Sequence, residues 1–484
     1  MIKRIVTWIL LLSLTVAILL FPVHLNFGLQ PAQSIHIFSN LPLFAILFVA
    51  WVLNLTWLLI LNKNRWLQMA LIGIFAIVFL GFWTVITPYG LQGDFDSGGI
   101  AYAQTLKNQG IASSSLINFG YFKFPFTSML GAGVSKLTGL SIFNTRTLVL
   151  LISSVLLGVS LYWFFRNMLR NSTVAAVGAI LAIIGNMMLC NSVRFYPTGF
   201  GLILSVIFFV LLIKGKGIIF ETKRDKVIAM LLILAITLTH YITSFYIIAI
   251  LSGIFSVQLI TKEKLIKWWY IIALAVFPVL WGFAVANEFV KTILNSSVQS
   301  VQTVQTVVSS VATSPVLPTV AGQTSTIVGQ ATASSHSLLW WVEDMAIRYL
   351  GVQSPLWMRF VIIFWIVLVF GLGSILALVY LVRIKKSSKR VKILVGAMVG
   401  VVALSILAVI ASLNLGGYQF FRFLQFSGFF LIPLILVYIL SFISRKVIII
   451  CLVSIMIVLS FPTFLAYNSA IEGNAIYPQE IEAC

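Results

Sequence analysis

Residues 66–87 read WLQMALIGIFAIVFLGFWTVIT, without one charged side chain, and residues 93–97, a few positions on, read GDFDS. The first stretch is long enough to cross the roughly 30 Å hydrocarbon core of a bilayer as a helix, which needs about 20 apolar residues. The second places Asp94 and Asp96 two positions apart where such a span would end. The chain has only four aspartates, so composition alone gives an Asp-x-Asp pair about 0.03 times. Paired carboxylates at a membrane surface offer oxygen ligands to a divalent cation such as Mg²⁺ or Mn²⁺, or a general base. Asp equally suits a loop or a helix N-cap.

The rest of the chain matches residues 66–87. It is 61% hydrophobic and 9% charged over 484 residues, with a mean hydropathy of +1.09. That balance belongs to an all-α polytopic transmembrane helix bundle, not a soluble domain. Apolar runs of spanning length occur at 5–22, 41–61, 66–87, 146–165, 172–190, 198–213, 227–242, 243–260, 268–286, 357–382, 393–413, 418–443 and 447–464, thirteen in all. The pair across 227–260 has almost no connecting loop. Residues 5–22 are followed by no small-residue cleavage site, so they read as a retained first span. Cys190, Cys451 and Cys484 show neither metal-site nor paired spacing. No repeat of the kind that marks many transporters is visible.

Charge sets the orientation. The net charge of +20 comes from 31 Lys and Arg against 11 Asp and Glu. With the N-terminus cytoplasmic, the inside loops hold 22 basic residues, among them Lys63, Arg65, Arg166, Arg170, Lys262, Arg383, Lys392 and Arg445. This is the positive-inside distribution. No segment interleaves basic and aromatic residues on a soluble face, so nucleic acid is excluded as a partner and anionic membrane lipid is expected. The nine remaining cations are Lys107, Lys123, Lys136, Arg146, Arg194, Lys291, Arg348, Arg359 and Arg422. The expected location is the plasma membrane, multi-pass, with an extracytoplasmic C-terminus.

The chain divides into an N-terminal hairpin (1–65), a module with the first outer loop at 88–145 (66–286), a second outer loop (287–356), C-terminal spans (357–464) and a short outer tail (465–484). In the first loop Phe126, Met129, Leu130, Val134 and Leu137 recur at helical spacing, which predicts an interfacial amphipathic helix over 126–139. In the second, the Ser/Thr/Val/Gln-rich stretch to about 335 reads as a mobile segment, with a glycosylation triplet at Asn295-Ser296-Ser297. Residues 340–350 read as a second interfacial helix.

Isolated ionisable residues gather toward the outer face: Asp94, Asp96, Lys123, Arg194, His240, Glu288 and Arg422, the last next to Tyr418 and Gln419. An ionisable group within a span costs about 2.5–3.5 kcal/mol on insertion scales, so it faces a cavity or a partner. Each also has a plainer use. Arg194 and Arg422 suit snorkelling anchors, Lys123 an interfacial anchor, Glu288 a helix end, and His240 a hydrogen bond to a neighbouring helix. Positive-inside selection opposes outer cations, so their gathering points to one polar cavity.

This layout resembles the GT-C superfamily of membrane glycosyltransferases that use polyprenyl-phosphate sugar donors. Asp94 and Asp96 match the acidic pair or single Asp near the start of that superfamily's first large outer loop. Tyr121-Phe122-Lys123-Phe124-Pro125-Phe126 looks like the loop's aromatic-Pro segment, and Leu238-Thr239-His240-Tyr241 resembles a Thr-His step at an outer helix end. Arg422 resembles an arginine that meets donor phosphate. Two spans precede the Asp-bearing loop where many relatives have one, and only some twenty residues follow the last span. The resemblance implies sugar transfer from a polyprenyl phosphate to a glycan, lipid or protein acceptor. It implies Asp94 and Asp96 as catalytic groups, with Mg²⁺ or Mn²⁺ held by Asp94, Asp96 and His240. It implies Arg422, Arg194, Lys123 and His240 at the donor phosphate, with Glu288, Gln419 and Tyr418 nearby. The alternatives are a lipid-linked sugar flippase or transporter, and a polysaccharide polymerase or ligase.

Overall fold

The computed structural model describes residues 2–26, 41–86, 91–92, 94–109, 125–185, 197–213, 223–284, 356–415, 418–472 and 475–476. Over these the chain is helical throughout, save for one pair of two-residue strands. In chain order the elements are α1 (Ile2–Asn26), α2 (Leu41–Leu61), α3 (Arg65–Ile86), β1 (Leu91–Gln92), α4 (Asp94–Gln109), α5 (Phe126–Thr138), α6 (Ile142–Leu169), α7 (Ser172–Gly185), α8 (Pro197–Ile213), α9 (Lys223–Thr239), α10 (Tyr241–Thr261), α11 (Trp269–Ala284), α12 (Leu356–Val382), α13 (Lys389–Leu415), α14 (Tyr418–Ile439), α15 (Arg445–Glu472) and β2 (Ala475–Ile476). Each of the thirteen apolar runs overlaps one of these helices. Three helices are long and apolar enough to cross a membrane on their described side chains: Leu43–Leu61, Ile142–Leu169 and Thr243–Thr261. The other apolar helices are shorter over the described residues.

The basic loops meet at one end of the bundle. Gln68 at the start of α3 donates to the carbonyl of Asn62 at 2.9 Å and accepts from the Tyr162 hydroxyl at 2.8 Å, and Arg166 donates to that hydroxyl at 3.2 Å. The end of α6 therefore lies beside the start of α3. Arg390 donates to the carbonyl of Met168 at 3.3 Å, which brings the start of α13 to the same place. Burial and the neighbouring Arg170 lower the pKa of Arg390. Lys392, almost wholly buried, pairs with Glu263 just beyond α10. Gln258 turns the chain there by accepting from the Leu265 and Ile266 amides at 2.6 and 2.8 Å. A polar group in apolar surroundings costs free energy unless it is bonded, and the Gln68, Lys392 and Gln258 contacts meet that demand where charge has to sit.

The opposite end carries α4 and α5, which lie in the chain between α3 and α6. There β1 pairs antiparallel with β2, Leu91 opposite Ile476 and Gln92 opposite Ala475, so the segment after α15 is fastened just ahead of Asp94. Of the two uses that suit Asp94 and Asp96, a loop or a helix start, the backbone takes the helix start. The runs at 227–242 and 243–260 are separate helices, as their reading as two runs anticipated, joined by one residue, His240, whose backbone is extended. The expected mobile stretch to 335 and the helix at 340–350 lie outside the described residues.

Without a hydrophobic drive between helices in lipid, small residues that admit close backbone approach hold them together. Gly253 of α10 packs on Gly396 and Gly400 of α13, one turn apart. A Cβ on Gly253 would overlap the Gly396 carbonyl, a Cβ on Gly400 would overlap the Ala249 carbonyl, and a Cβ on Gly396 would stand 2.6 Å from the Ile254 Cα. Gly400→Leu is expected to lower the thermal unfolding midpoint in detergent by the equivalent of about 2 kcal/mol or more, since the obstacle is backbone and cannot rotate away. Gly133→Ala, where a Cβ meets nothing within 4 Å, is expected to leave the midpoint unchanged or raise it.

Candidate functional site

The site begins with α4 because its first turn carries Asp94 and Asp96. Acidic residues suit a helix N-terminus, where unpaired amides and the helix dipole favour negative charge. Further along, Tyr102 and Leu106 cluster with Ala132 of α5, and Ile100 and Ala103 cluster with Ile142 and Val149 of α6 and Phe200 of α8. Ser128 of α5 donates to the Gly99 carbonyl at 3.3 Å, and Lys107 reaches the Leu140 carbonyl at 3.3 Å. Ser135 donates to that same carbonyl at 2.6 Å. The turn from α5 to α6 uses Gly139 at φ 73°, then Ser141 as a cap accepting from the Asn144 amide. α4 and α5 thus form a shelf pinned over the starts of α6 and α8.

The helix expected over 126–139 is present, and its burial is instructive. Its buried residues are Thr127, Ser128, Gly131, Ala132 and Ser135, while Met129 and Leu137 are exposed. The small, polar side packs on the protein, Leu130 and Val134 of the apolar stripe rest against the cluster of α4, α6 and α8, and Met129 and Leu137 are turned outward.

Beneath the shelf are polar groups enclosed by protein. Arg146 has no exposed surface, and on α6 it lies between Ile142 and Val149, the residues that pack against α4. Beside it the Thr145 hydroxyl is buried without a hydrogen-bond partner among the described residues, as are those of Thr127 on α5 and Ser244 on α10. His240 is also fully buried, and its Nδ1 lies 3.0 Å from the Thr243 hydroxyl. Thr243 packs on Gly201 of α8, where a Cβ would come within 2.7 Å of its Oγ1. From α4 the polar groups therefore pass by way of Arg146, Phe200 and Gly201 to His240.

The level of Arg422 follows from ring contacts deeper in the bundle. Phe430 of α14 meets Phe209 of α8 and Phe164 of α6, with centroids 5.2 and 5.6 Å apart. α8 and α14 run the same way, both toward the basic end. Arg422 precedes Phe430 by as many residues as Gly201 precedes Phe209, so both stand roughly 12 Å above that contact at 1.5 Å per residue. Arg422 and the Gly201–Thr243–His240 group therefore share a level. Phe200, the neighbour of Gly201, packs with Ile142 and Val149, the residues on either side of Arg146 on α6, so this level lies beneath the shelf.

An apolar cleft of about 610 Å³ opens between α12 and α15, lined by Val361, Phe364, Trp365 and Leu368 of α12 and by Ile455 and Val458 of α15, among others. α12 packs on α14 where Gly373 meets Leu431. Eight residues earlier on each helix are Trp365 and Phe423, so the cleft sits beside Arg422 in height. Phe364 and Val458 on its rim are exposed.

Of the residues expected from the sequence, Asp94 and Asp96 lie in the first turn of α4, and Tyr418, Gln419 and Arg422 lie in the first turns of α14. His240 joins α9 to α10, and Lys123, Arg194 and Glu288 lie outside the described residues. Arg146 is the residue sequence reasoning passed over as one of nine outer cations. Its signal was its place between Ile142 and Val149 on one helical face. Positions 94 and 96 are roughly 200° apart around the axis of α4. Among the described residues no group of three His, Cys, Asp or Glu is placed to hold a metal. No protein-family model matches the chain, and no curated protein matches it in sequence.

Gly201→Ala is expected to push Thr243 away and loosen His240. The cost is the equivalent of about 1–3 kcal/mol, read as a lower unfolding midpoint in detergent. An unchanged midpoint would mean that Gly201 and Thr243 are not in contact.

Proposed function

We propose that this chain is a polytopic membrane glycosyltransferase of GT-C-like architecture, crossing the membrane thirteen times with its N-terminus cytoplasmic. It transfers a sugar from a polyprenyl-phosphate donor to an acceptor at the extracytoplasmic face. The observation that carries the reading is the shared level of Arg422, the buried His240–Thr243 pair and the apolar cleft between α12 and α15, with the acid-bearing turn of α4 above them. A lipid-linked sugar phosphate has three chemically distinct parts, and this arrangement offers a place for each.

The isoprenoid chain lies in the cleft, held there by van der Waals packing, since lipid tails are as apolar as the cleft's lining. The phosphate meets Arg422, with Arg194 and Lys123 as further cations and His240 as a hydrogen-bond donor. The sugar extends toward α4. Asp94 takes the proton of the acceptor hydroxyl or amide as that atom attacks the anomeric carbon. The bond from that carbon to the phosphate oxygen breaks, and polyprenyl phosphate departs with the electron pair. Attack opposite the leaving group inverts the anomeric centre, by the logic of inverting glycosidases. Cations at the departing phosphate stabilise the charge that develops there. Asp96 orients the first turn of α4.

In membranes supplied with the matching donor, Asp94→Asn is expected to lower transfer by about 10²–10⁴-fold, the usual contribution of a general base. Arg422→Ala is expected to cost about 10²–10³-fold, as loss of an electrostatic donor does elsewhere. Full transfer by Asp94→Asn would remove the role given to that residue.

A further inference from the structure

We infer that Arg166 and Arg170 of α6, with Arg390 of α13, form a binding site for one anionic phospholipid at the basic end of the bundle. The site lies at the end remote from α4, and the inference stands independently of the transferase reading.

The end of α6 and the start of α13 converge there. Arg390 reaches across to the Met168 carbonyl at 3.3 Å, and Arg170 is near enough to act on its charge. Arg166, one turn before Arg170, donates to the Tyr162 hydroxyl at 3.2 Å. Arg65 at the start of α3 acts electrostatically on that same hydroxyl. The carbonyls that end α6 explain part of this gathering, because a helix C-terminus carries about half a negative elementary charge. Half a charge does not balance three guanidiniums. Among the described residues none of the three is paired with a carboxylate, and Glu263 is held by Lys392.

Arg170 carries a second signal. It caps α6 with a left-handed backbone, φ 56°. Glycine adopts that conformation without strain and is the usual residue at such a cap. A long cationic side chain is kept at a place where it strains the backbone, which points to a use for the side chain itself.

The surroundings select a lipid over a free phosphate. The Arg166 guanidinium stands 5.4 Å from the Trp163 ring, and that of Arg65 stands 5.2 Å from the exposed Trp66. Tryptophan is enriched at the headgroup level of a membrane. Deeper along the same face of α6 are Leu156 and Ile152, both exposed. Positions 156, 163 and 166 lie within about 40° of position 152 around the helix axis. Leu156 is roughly 15 Å from Arg166 along that axis, the depth of one leaflet's hydrocarbon. An acyl chain therefore lies along this row while the phosphate meets the arginines, whose planar forks donate two parallel N–H bonds to phosphate oxygens.

Native mass spectrometry of the full chain in detergent tests the site, with unfolding midpoints measured in parallel. The probes are dioleoyl phosphatidylglycerol, dioleoyl phosphatidylcholine and glycerol 3-phosphate. The protein is expected to retain one phosphatidylglycerol about tenfold more tightly than phosphatidylcholine. Glycerol 3-phosphate, which has the phosphate and no acyl chains, is expected not to compete. Arg170→Gly is expected to weaken phosphatidylglycerol retention about tenfold. Its lipid-free midpoint is expected to stay unchanged or rise, because glycine relieves the left-handed cap. Lys262→Gly removes a cation from the matching cap of α10, also at φ 56°, and is expected to retain the lipid as the unaltered chain does. Equal retention of the two lipids, or competition by glycerol 3-phosphate, would overturn the proposal. So would unchanged retention by Arg170→Gly, or an equal loss in Lys262→Gly.

Discussion

A charge inside an apolar medium must find a partner, and this requirement organises both ends of the molecule. At one end the basic loops solve it with side chains that bridge helices: Tyr162 to Gln68, Arg166 to Tyr162, Lys392 to Glu263. At the other, Arg146 and His240 are enclosed completely, under a shelf of two short helices. The first end locks α3, α6, α10 and α13 in register. The second has buried hydroxyls on Thr127, Thr145 and Ser244 that bond to nothing within the described residues. Unmet hydrogen-bonding capacity of that kind is costly in a purely structural layer, and it suits a surface that receives a polar ligand.

Close backbone contact supplies what hydrophobic burial cannot between helices in lipid. The glycine crossing of α10 and α13 is one instance, and the seat of Thr243 on Gly201 is a smaller one. The second holds His240 at a helix break, where a single extended residue separates α9 from α10. Rigid neighbours on both sides fix the imidazole more firmly than a long loop would.

Much of this was legible in the residues. Every long apolar run coincides with a helix over most of its length, because length and hydropathy are strong signals at this composition. α5 was legible from the spacing of Met129, Leu130, Val134 and Leu137. α4 was not, because its apolar face is only Ile100, Tyr102, Ala103 and Leu106 among polar and glycine residues, and its long-range contacts set its burial. Arg146 was invisible as a special residue for a related reason. An arginine near the start of an apolar run reads as a snorkelling anchor until the packing of Ile142 and Val149 shows that α4 covers it. The depth of Arg422 below the shelf could come only from contacts such as Phe209 with Phe430, which join residues far apart in the chain.

The central claim is that a polar space between the first turn of α4 and the level of Arg422 receives a lipid-linked phosphate whose tail leaves through the cleft of α12 and α15. An experimental structure of the protein in lipid nanodiscs with a polyprenyl phosphate bound measures this directly. The account predicts phosphate density in hydrogen-bond contact with Arg422, the first isoprene units against Trp365 and Phe364, and Asp94 facing the space above the phosphate. Phosphate bound elsewhere, or Asp94 directed into bulk solvent far from Arg422, would contradict it.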